Sequence, residues 1–264
     1  MSVDASKKAL IDQFPDAHSI VVEGGDQCVL MVHGFTGSPA TLKALAKEIH
    51  SQLGHGIIAP LLPGHGMAPQ DLCRVTWQDW VEEIEEHFSK ALQNYKKVHL
   101  LGLSTGGTIC VEVLRRNPGM AKSLTLLSPA YRIRPPYLQW LSHLFVALPN
   151  VLIWGSKKKE GIPPVGDVSY SEYPLKSVKQ FLRICRKMKF VPVDSSTPAL
   201  IIASQKDELI DPSSADFFYT KFPSPQSMLV KLYRSFHIIT LGVEKKKVFS
   251  EVLEFISKQS SISK

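Results

Sequence analysis

The chain has 264 residues, 44% of them hydrophobic, with 31 Lys and Arg against 24 Asp and Glu, a formal net charge of +7 and a pI near 9.1. This is the ordinary composition of a soluble globular protein, long enough for one large α/β domain or two small ones. The basic residues are spread over many segments and accompany no zinc-finger or RNP-like motif, so they describe a solvated surface and not a nucleic-acid-binding one.

The opening MSVDASKKALIDQFPDAHSI carries charges where a signal peptide would need its apolar core, which points to the cytoplasm. Cys28, Cys73, Cys110 and Cys185 are scattered and form no CxxC pair, so neither a metal cluster nor a disulfide framework is expected. Along the chain, SIVV, CVLMVHG, GIIAP, VHLLG, SLTLLSP, ALIIAS and MLVKLY are short runs rich in Val, Ile and Leu. Such runs suit strands covered on both faces, as in a parallel sheet. Helical patterns alternate with them. Leu42, Leu45, Ala46, Ile49 and Leu53 recur at helical spacing, as do Trp77, Val81, Ile84 and Phe88 behind a Thr76 N-cap with Asp79 three residues on. A last helix, with Phe249, Val252, Leu253 and Ile256 on one side, opens at Glu244 and closes near Lys258.

The alternation breaks at 131–195, between Ala130 and Ser196, where no clear strand is visible. A loop that long in a compact domain is usually functional, and both its ends return to the same sheet, so a cap over the strand ends is expected. Within it, YLQWLSHLFVALPNVLIWG (Tyr137 to Gly155) approaches a membrane-spanning length. Gln139, His143, Pro149 and Asn150 interrupt it, so two short helices are expected instead. Tyr137, Trp140, Leu141, Leu144, Phe145 and Trp154 supply more apolar surface than one small helix pair needs for packing, so some of it is expected to line an acyl pocket, the alternative being that it only fixes the cap to the sheet. Transient contact of the cap with a membrane surface is a further expectation.

Ser104 stands in Gly102-Leu103-Ser104-Thr105-Gly106, a GxSxG between the strand VHLLG and a helix from about Gly106 to Asn117. A serine at such a turn has a strained backbone and an exposed hydroxyl, and its neighbours must be glycine to avoid collision. As a nucleophile it needs a base and an orienting carboxylate. His237 follows MLVKLY in a short loop before the last helix and is the expected base. Asp207, a few residues past ALIIAS, is favoured as the acid. Asp211, before Pro212, looks like the cap of the next helix, and Glu208 is a third choice. MVHGFTGSP follows an early strand, so the N–H groups of Phe35 and Thr105 are the expected oxyanion hole, with His33 bracing the loop.

HGFTGSP, LLPGHG, TWQDW, GLSTGG, SQKDELIDP and SFHIITL, in that order between Cys28 and Ile256, resemble the motifs of α/β-hydrolases of the bacterial carboxylesterase and monoacylglycerol lipase group. The resemblance implies an α/β-hydrolase fold: a mostly parallel sheet flanked by helices, with a small inserted cap, in one domain over 1–264. It also implies a triad of Ser104, Asp207 and His237, no metal, no cofactor, and hydrolysis of small acyl esters such as monoacylglycerols or lysolipids. Two positions depart from that group: Thr105 replaces a common methionine, and Gly242 stands where an aspartate often follows the histidine. Acyltransferases, thioesterases, C–C hydrolases and peptidases share this machinery, and a silent lipid-binding scaffold could keep the fold.

Overall fold

In the strand Gln27–Val32 successive side chains point to opposite faces, and both faces are apolar. Cys28, Leu30 and Val32 are buried on one side, Val29 and Met31 on the other. A strand of this kind must be covered twice, which places it inside a sheet flanked by helices. The computed structural model describes residues 17–134, 154–156, 169–170, 172–190 and 196–261. Its strands are β1 (Ile20–Val22), β2 (Gln27–Val32), β3 (Gly56–Ala59), β4 (Lys97–Leu103), β5 (Ser123–Leu127), β6 (Trp154–Ser156), β7 (Glu172–Pro174), β8 (Ala199–Ser204) and β9 (Met228–Leu232). Its helices are α1 (Lys43–Leu53), α2 (Trp77–Asn94), α3 (Thr105–Arg116), α4 (Leu175–Lys187), α5 (Ser213–Lys221) and α6 (Lys245–Ser261).

The main sheet has seven strands in the order β1-β3-β2-β4-β5-β8-β9, and all pairs are parallel except β1 with β3. Side chains of α1 and α6 pack on one face, and those of α2, α3 and α5 on the other. From β2 the chain moves outward to β3 and then crosses back to β4 on the far side of β2. The crevice at such a reversal, beyond the carboxyl ends of the strands, is where open sheets of this kind bind ligands. Val32 and Gly102 pair in register, so β2 and β4 end side by side and deliver their loops to one place.

Thr76 caps α2 as its sequence suggests. Its Oγ1 accepts the Asp79 N–H at 3.4 Å, and Asp79 Oδ2 accepts the Thr76 N–H at 2.6 Å. Two expectations need correction. The run SIVV becomes the antiparallel edge strand β1, with Val21 70% exposed, because an edge strand need not be covered on both faces. The interval 131–195 holds strands after all, since β6 and β7 pair antiparallel over three residues each, and helix α4 follows. Such short strands leave no periodic mark.

The start of this interval is stitched to the loop after β8. Ile133 bridges Ile210, the Arg134 N–H donates to the Leu209 carbonyl at 2.8 Å, and the Asp211 N–H donates to the Arg132 carbonyl at 2.8 Å. Tyr137, Trp140, Leu141, Leu144 and Phe145 lie outside the described residues, as do the two helices expected around them. No helix among the described residues is long and apolar enough to cross a membrane.

Candidate active site

Ser104 links β4 to α3 with φ 55° and ψ −118°, in the left-handed region that L-residues avoid. Such a backbone costs of order 1–3 kcal/mol and persists only where its surroundings over-determine it. Here they do. The Ser104 N–H donates to the Leu127 carbonyl at 2.8 Å, and the Ser104 carbonyl accepts the N–H groups of Gly107 at 3.0 Å and Ala130 at 3.2 Å. The turn is also too tight for side chains. A Cβ on Gly102 would stand 2.4 Å from the Gly106 carbonyl, and one on Gly106 would stand 2.1 Å from the Val32 oxygen.

The Ser104 hydroxyl meets His237 Nε2 at 2.9 Å, and His237 Nδ1 meets Asp207 Oδ2 at 2.7 Å. A carboxylate only accepts, so Nδ1 carries the proton and donates it to Asp207, leaving the Nε2 lone pair for the serine O–H. Asp207 is 2% exposed, and its other oxygen accepts the N–H groups of Leu209 at 2.9 Å and Ile210 at 2.8 Å. These bonds lock the carboxylate plane toward the imidazole.

The three neighbouring acids separate by task. Asp211 Oδ1 accepts the Ser213 N–H at 2.9 Å at the head of α5. The Ser213 hydroxyl bond, ahead of its N–H and the nearby Arg134 and Arg132, holds the Asp211 carboxyl below the usual range. Glu208 accepts the backbone N–H of His237 at 3.0 Å. The loop carrying His237 is gripped further by Glu244, which takes the N–H groups of Arg234 at 2.8 Å and Ser235 at 2.9 Å, and by a Ser204 hydroxyl bond to the Ser235 carbonyl. A Cβ on Gly242 would stand 3.1 Å from Ser235, so the glycine lets the loop close on itself, and Glu244 does the holding.

On the opposite side, a Cβ on Gly34 would lie 3.2 Å from Ser104 Cβ, which brings the Gly34–Phe35 backbone against the serine. Thr105 is the first residue of α3, where N–H groups have no intrahelical acceptor. Phe35 and Thr105 line the same cavity as Ser104 and His237. Two imidazoles brace the Gly34 loop. His33 donates from Nδ1 to the Gly34 carbonyl at 2.9 Å and accepts the Leu62 N–H on Nε2 at 3.0 Å. His65 accepts the Thr36 N–H at 3.1 Å and donates from Nδ1 to the Pro63 carbonyl at 3.1 Å. Burial, with His65 nearby, pushes the His33 pKa down to about 3, so this imidazole stays neutral. The parts in His65, Glu208 and Glu244 are not foreseen from the sequence. Only the HG pair in LLPGHG hints at one of them.

A cavity of about 360 Å³ opens from Ser104 and His237, walled by Phe35, Ile133, Val178, Phe181, Leu209, Ile210 and Ile238. Val178 and Phe181 come from α4, and the Phe181 ring stacks on Phe35 at 5.4 Å between centroids. The described apolar wall therefore uses a helix later in the interval than the residues first expected there. Among the described residues, no group of His, Cys, Asp and Glu is gathered to hold a metal ion.

A family model described as "Alpha/beta hydrolase family" matches residues 29–223. The thermostable monoacylglycerol lipase of Bacillus sp. (strain H-257) is 30% identical over 253 residues, covering 94% of this chain and 99% of that protein. The carboxylesterase of Bacillus subtilis (strain 168) is 24% identical over 89% of this chain and 94% of its own length. Among solved structures, one from the metagenome-derived lipolytic enzymes LipS and LipT superposes with a TM-score of 0.82 at 26% identity, covering 92% of this chain and 98% of that one. The soluble variant of monoglyceride lipase from Saccharomyces cerevisiae has a TM-score of 0.77 at 17% identity over 91% of each chain, a likeness of fold.

Proposed function

The chain belongs to the alpha/beta hydrolase family, and from that premise we propose that it is a serine carboxylic-ester hydrolase acting on monoacylglycerols, lysophospholipids or similar acyl esters. The single observation that carries this is the hydrogen-bonded chain Ser104–His237–Asp207 opening into an apolar cavity. Ser104 Oγ attacks the ester carbonyl carbon while its proton passes to His237 Nε2, and Asp207 stabilises the imidazolium it orients. The carbonyl oxygen, now negative, is taken by the N–H groups of Phe35 and Thr105, and an oxyanion donor of this kind is worth on the order of 10²–10³ in rate. Collapse breaks the bond to the alcohol, which leaves with the proton from His237. Water, deprotonated by the same imidazole, then attacks the acyl-enzyme and releases the acid.

The interval 131–195 serves as the cap of the same domain, with Val178 and Phe181 contributing a wall of the acyl pocket. The apolar residues in its sequence suit transient contact with a membrane surface, and the free Cys28, Cys73, Cys110 and Cys185 suit the cytoplasm.

Two measurements test this. A fluorophosphonate should label the enzyme on Ser104, and kcat/KM for soluble esters should rise with acyl length by up to about 0.8 kcal/mol, roughly fourfold, per methylene before levelling off. Absence of labelling overturns the serine mechanism. A preference for acetate overturns the lipid-ester assignment. Phe181→Ala should flatten the rise while sparing acetate.

A further inference from the structure

Among the described residues lining the cavity, Arg134 is the one side chain of permanent charge, and no carboxylate lines it. The residue is exposed, so its place is the rim. It is also fixed there, because its N–H donates to the Leu209 carbonyl at 2.8 Å and its Nη1 donates to the Asp207 carbonyl at 2.9 Å. A guanidinium has five N–H donors in a planar fork, so one bond to Asp207 leaves the geometry for a bidentate anion in place. Of the nearby acids, Asp211 lies in the field of Arg134 but binds Ser213 and forms no ion pair with Arg134 among the described residues, and Glu208 binds the His237 N–H.

The cavity divides chemically. The hydrocarbon walls of Phe35, Val178, Phe181 and Ile210 suit an acyl chain, which leaves the alcohol half of an ester bound at Ser104 to face the rim. Resting on the ester hydrolysis proposed above, we propose that Arg134 selects esters whose alcohol part carries an anionic group, phosphate or carboxylate, over neutral esters of the same acyl chain. Arg134 is then a specificity residue that acts by direct charge-assisted hydrogen bonding to the substrate.

The test compares three soluble monoesters of one medium acyl chain, each below its micelle concentration: the glycerol ester, the glycerol 3-phosphate ester and the glycerate ester. The quantity read is the ratio of kcat/KM for each anionic ester to that of the neutral one. Arg134→Gln should lower the ratio by roughly three- to tenfold, the range for a partly exposed charge-assisted contact, while Arg134→Lys should retain part of it. Raising ionic strength should lower the ratio in the unmodified enzyme and not in Arg134→Gln. A drop confined to the phosphate or to the carboxylate ester upholds the proposal and names the anion. An equal fall for all three esters in Arg134→Gln overturns it, since Arg134 would then only position the Asp207 loop. Should that variant fail to fold, a salt-independent ratio in the unmodified enzyme overturns it instead. Turnover of none of the esters by the unmodified enzyme overturns the ester-hydrolase assignment, and this proposal with it.

Discussion

Lys187 Nζ, at the end of α4, lies 2.8 Å from Oε1 of Glu112, whose side chain is fully buried in α3. Arg115 closes a two-pronged pair on the same carboxylate, with both contacts at 2.9 Å, and Arg116 Nε lies 3.3 Å from it. The helix that follows Ser104 is thereby joined to the helix that walls the cavity. Burial pushes the Glu112 pKa up, but the hydrogen bonds from Arg115 and Lys187 outweigh it and leave it below the usual glutamate range. Removing the carboxylate strands several partly buried cations, so Glu112→Ala should cost about 3 kcal/mol in urea denaturation. Lys187→Met leaves the two arginines in place and should cost about 1 kcal/mol or less.

Asp207→Asn and Asp211→Asn should separate cleanly. The first disturbs the tautomer that presents Nε2 to Ser104 and should lower kcat by about 10³–10⁴. The second loosens the turn before α5 and should leave kcat within about tenfold. Steady-state kinetics with one soluble ester decide it, and a larger loss at Asp211 would exchange the roles of the two acids.

Stability should fall on mild acidification. His33 and His99 both have pKa values lowered from 6.5 to about 3, chiefly by burial, and His99 stacks on His55 at 5.8 Å. Between those two limits the unfolded chain binds protons that the folded chain refuses, so the stabilisation present above 6.5 is lost progressively as pH drops toward 3. The loss should reach the order of a few kcal/mol. The thermal midpoint followed through this window should drop, and more gently in His99→Gln, in which one of the two groups is gone.

Thr105 Oγ1 is buried and has no hydrogen-bond partner among the described residues. Replacing it with valine removes an unsatisfied hydroxyl at nearly constant shape and should raise stability by about 1 kcal/mol. The backbone N–H is untouched, so kcat should stay within about threefold. A destabilised Thr105→Val protein in calorimetry would show that the hydroxyl has a partner after all.

The candidate site is legible where local sterics write themselves into the chain. A strand, a turn too tight for Cβ atoms and a helix require glycines around Ser104, and those glycines stand together in the sequence. Asp207 and His237 stand out as candidates by their distance beyond strand ends, with Asp211 and Glu208 competing on the same ground. The braces do not stand out. His65 reaching Thr36, Glu208 reaching the His237 N–H and Glu244 reaching Ser235 are bonds between loops, with no periodicity and no fixed spacing to announce them. The edge strand β1 misled for the opposite reason: its run of valine and isoleucine looks buried, yet Val21 faces water.

The seam between residues 131–134 and 207–211 decides where this protein can be cut and rejoined. The two backbone bonds that make the Ile133–Ile210 bridge fasten the start of the 131–195 interval to the turn after Asp207. A chimera that imports a foreign insert with its crossover before Tyr131 would discard half of that seam and leave the acid loop to find a new partner. A crossover placed after Arg134 keeps the seam whole, so the segment that follows could be exchanged while the hydrogen bonds joining Ser104, His237 and Asp207 stay in register.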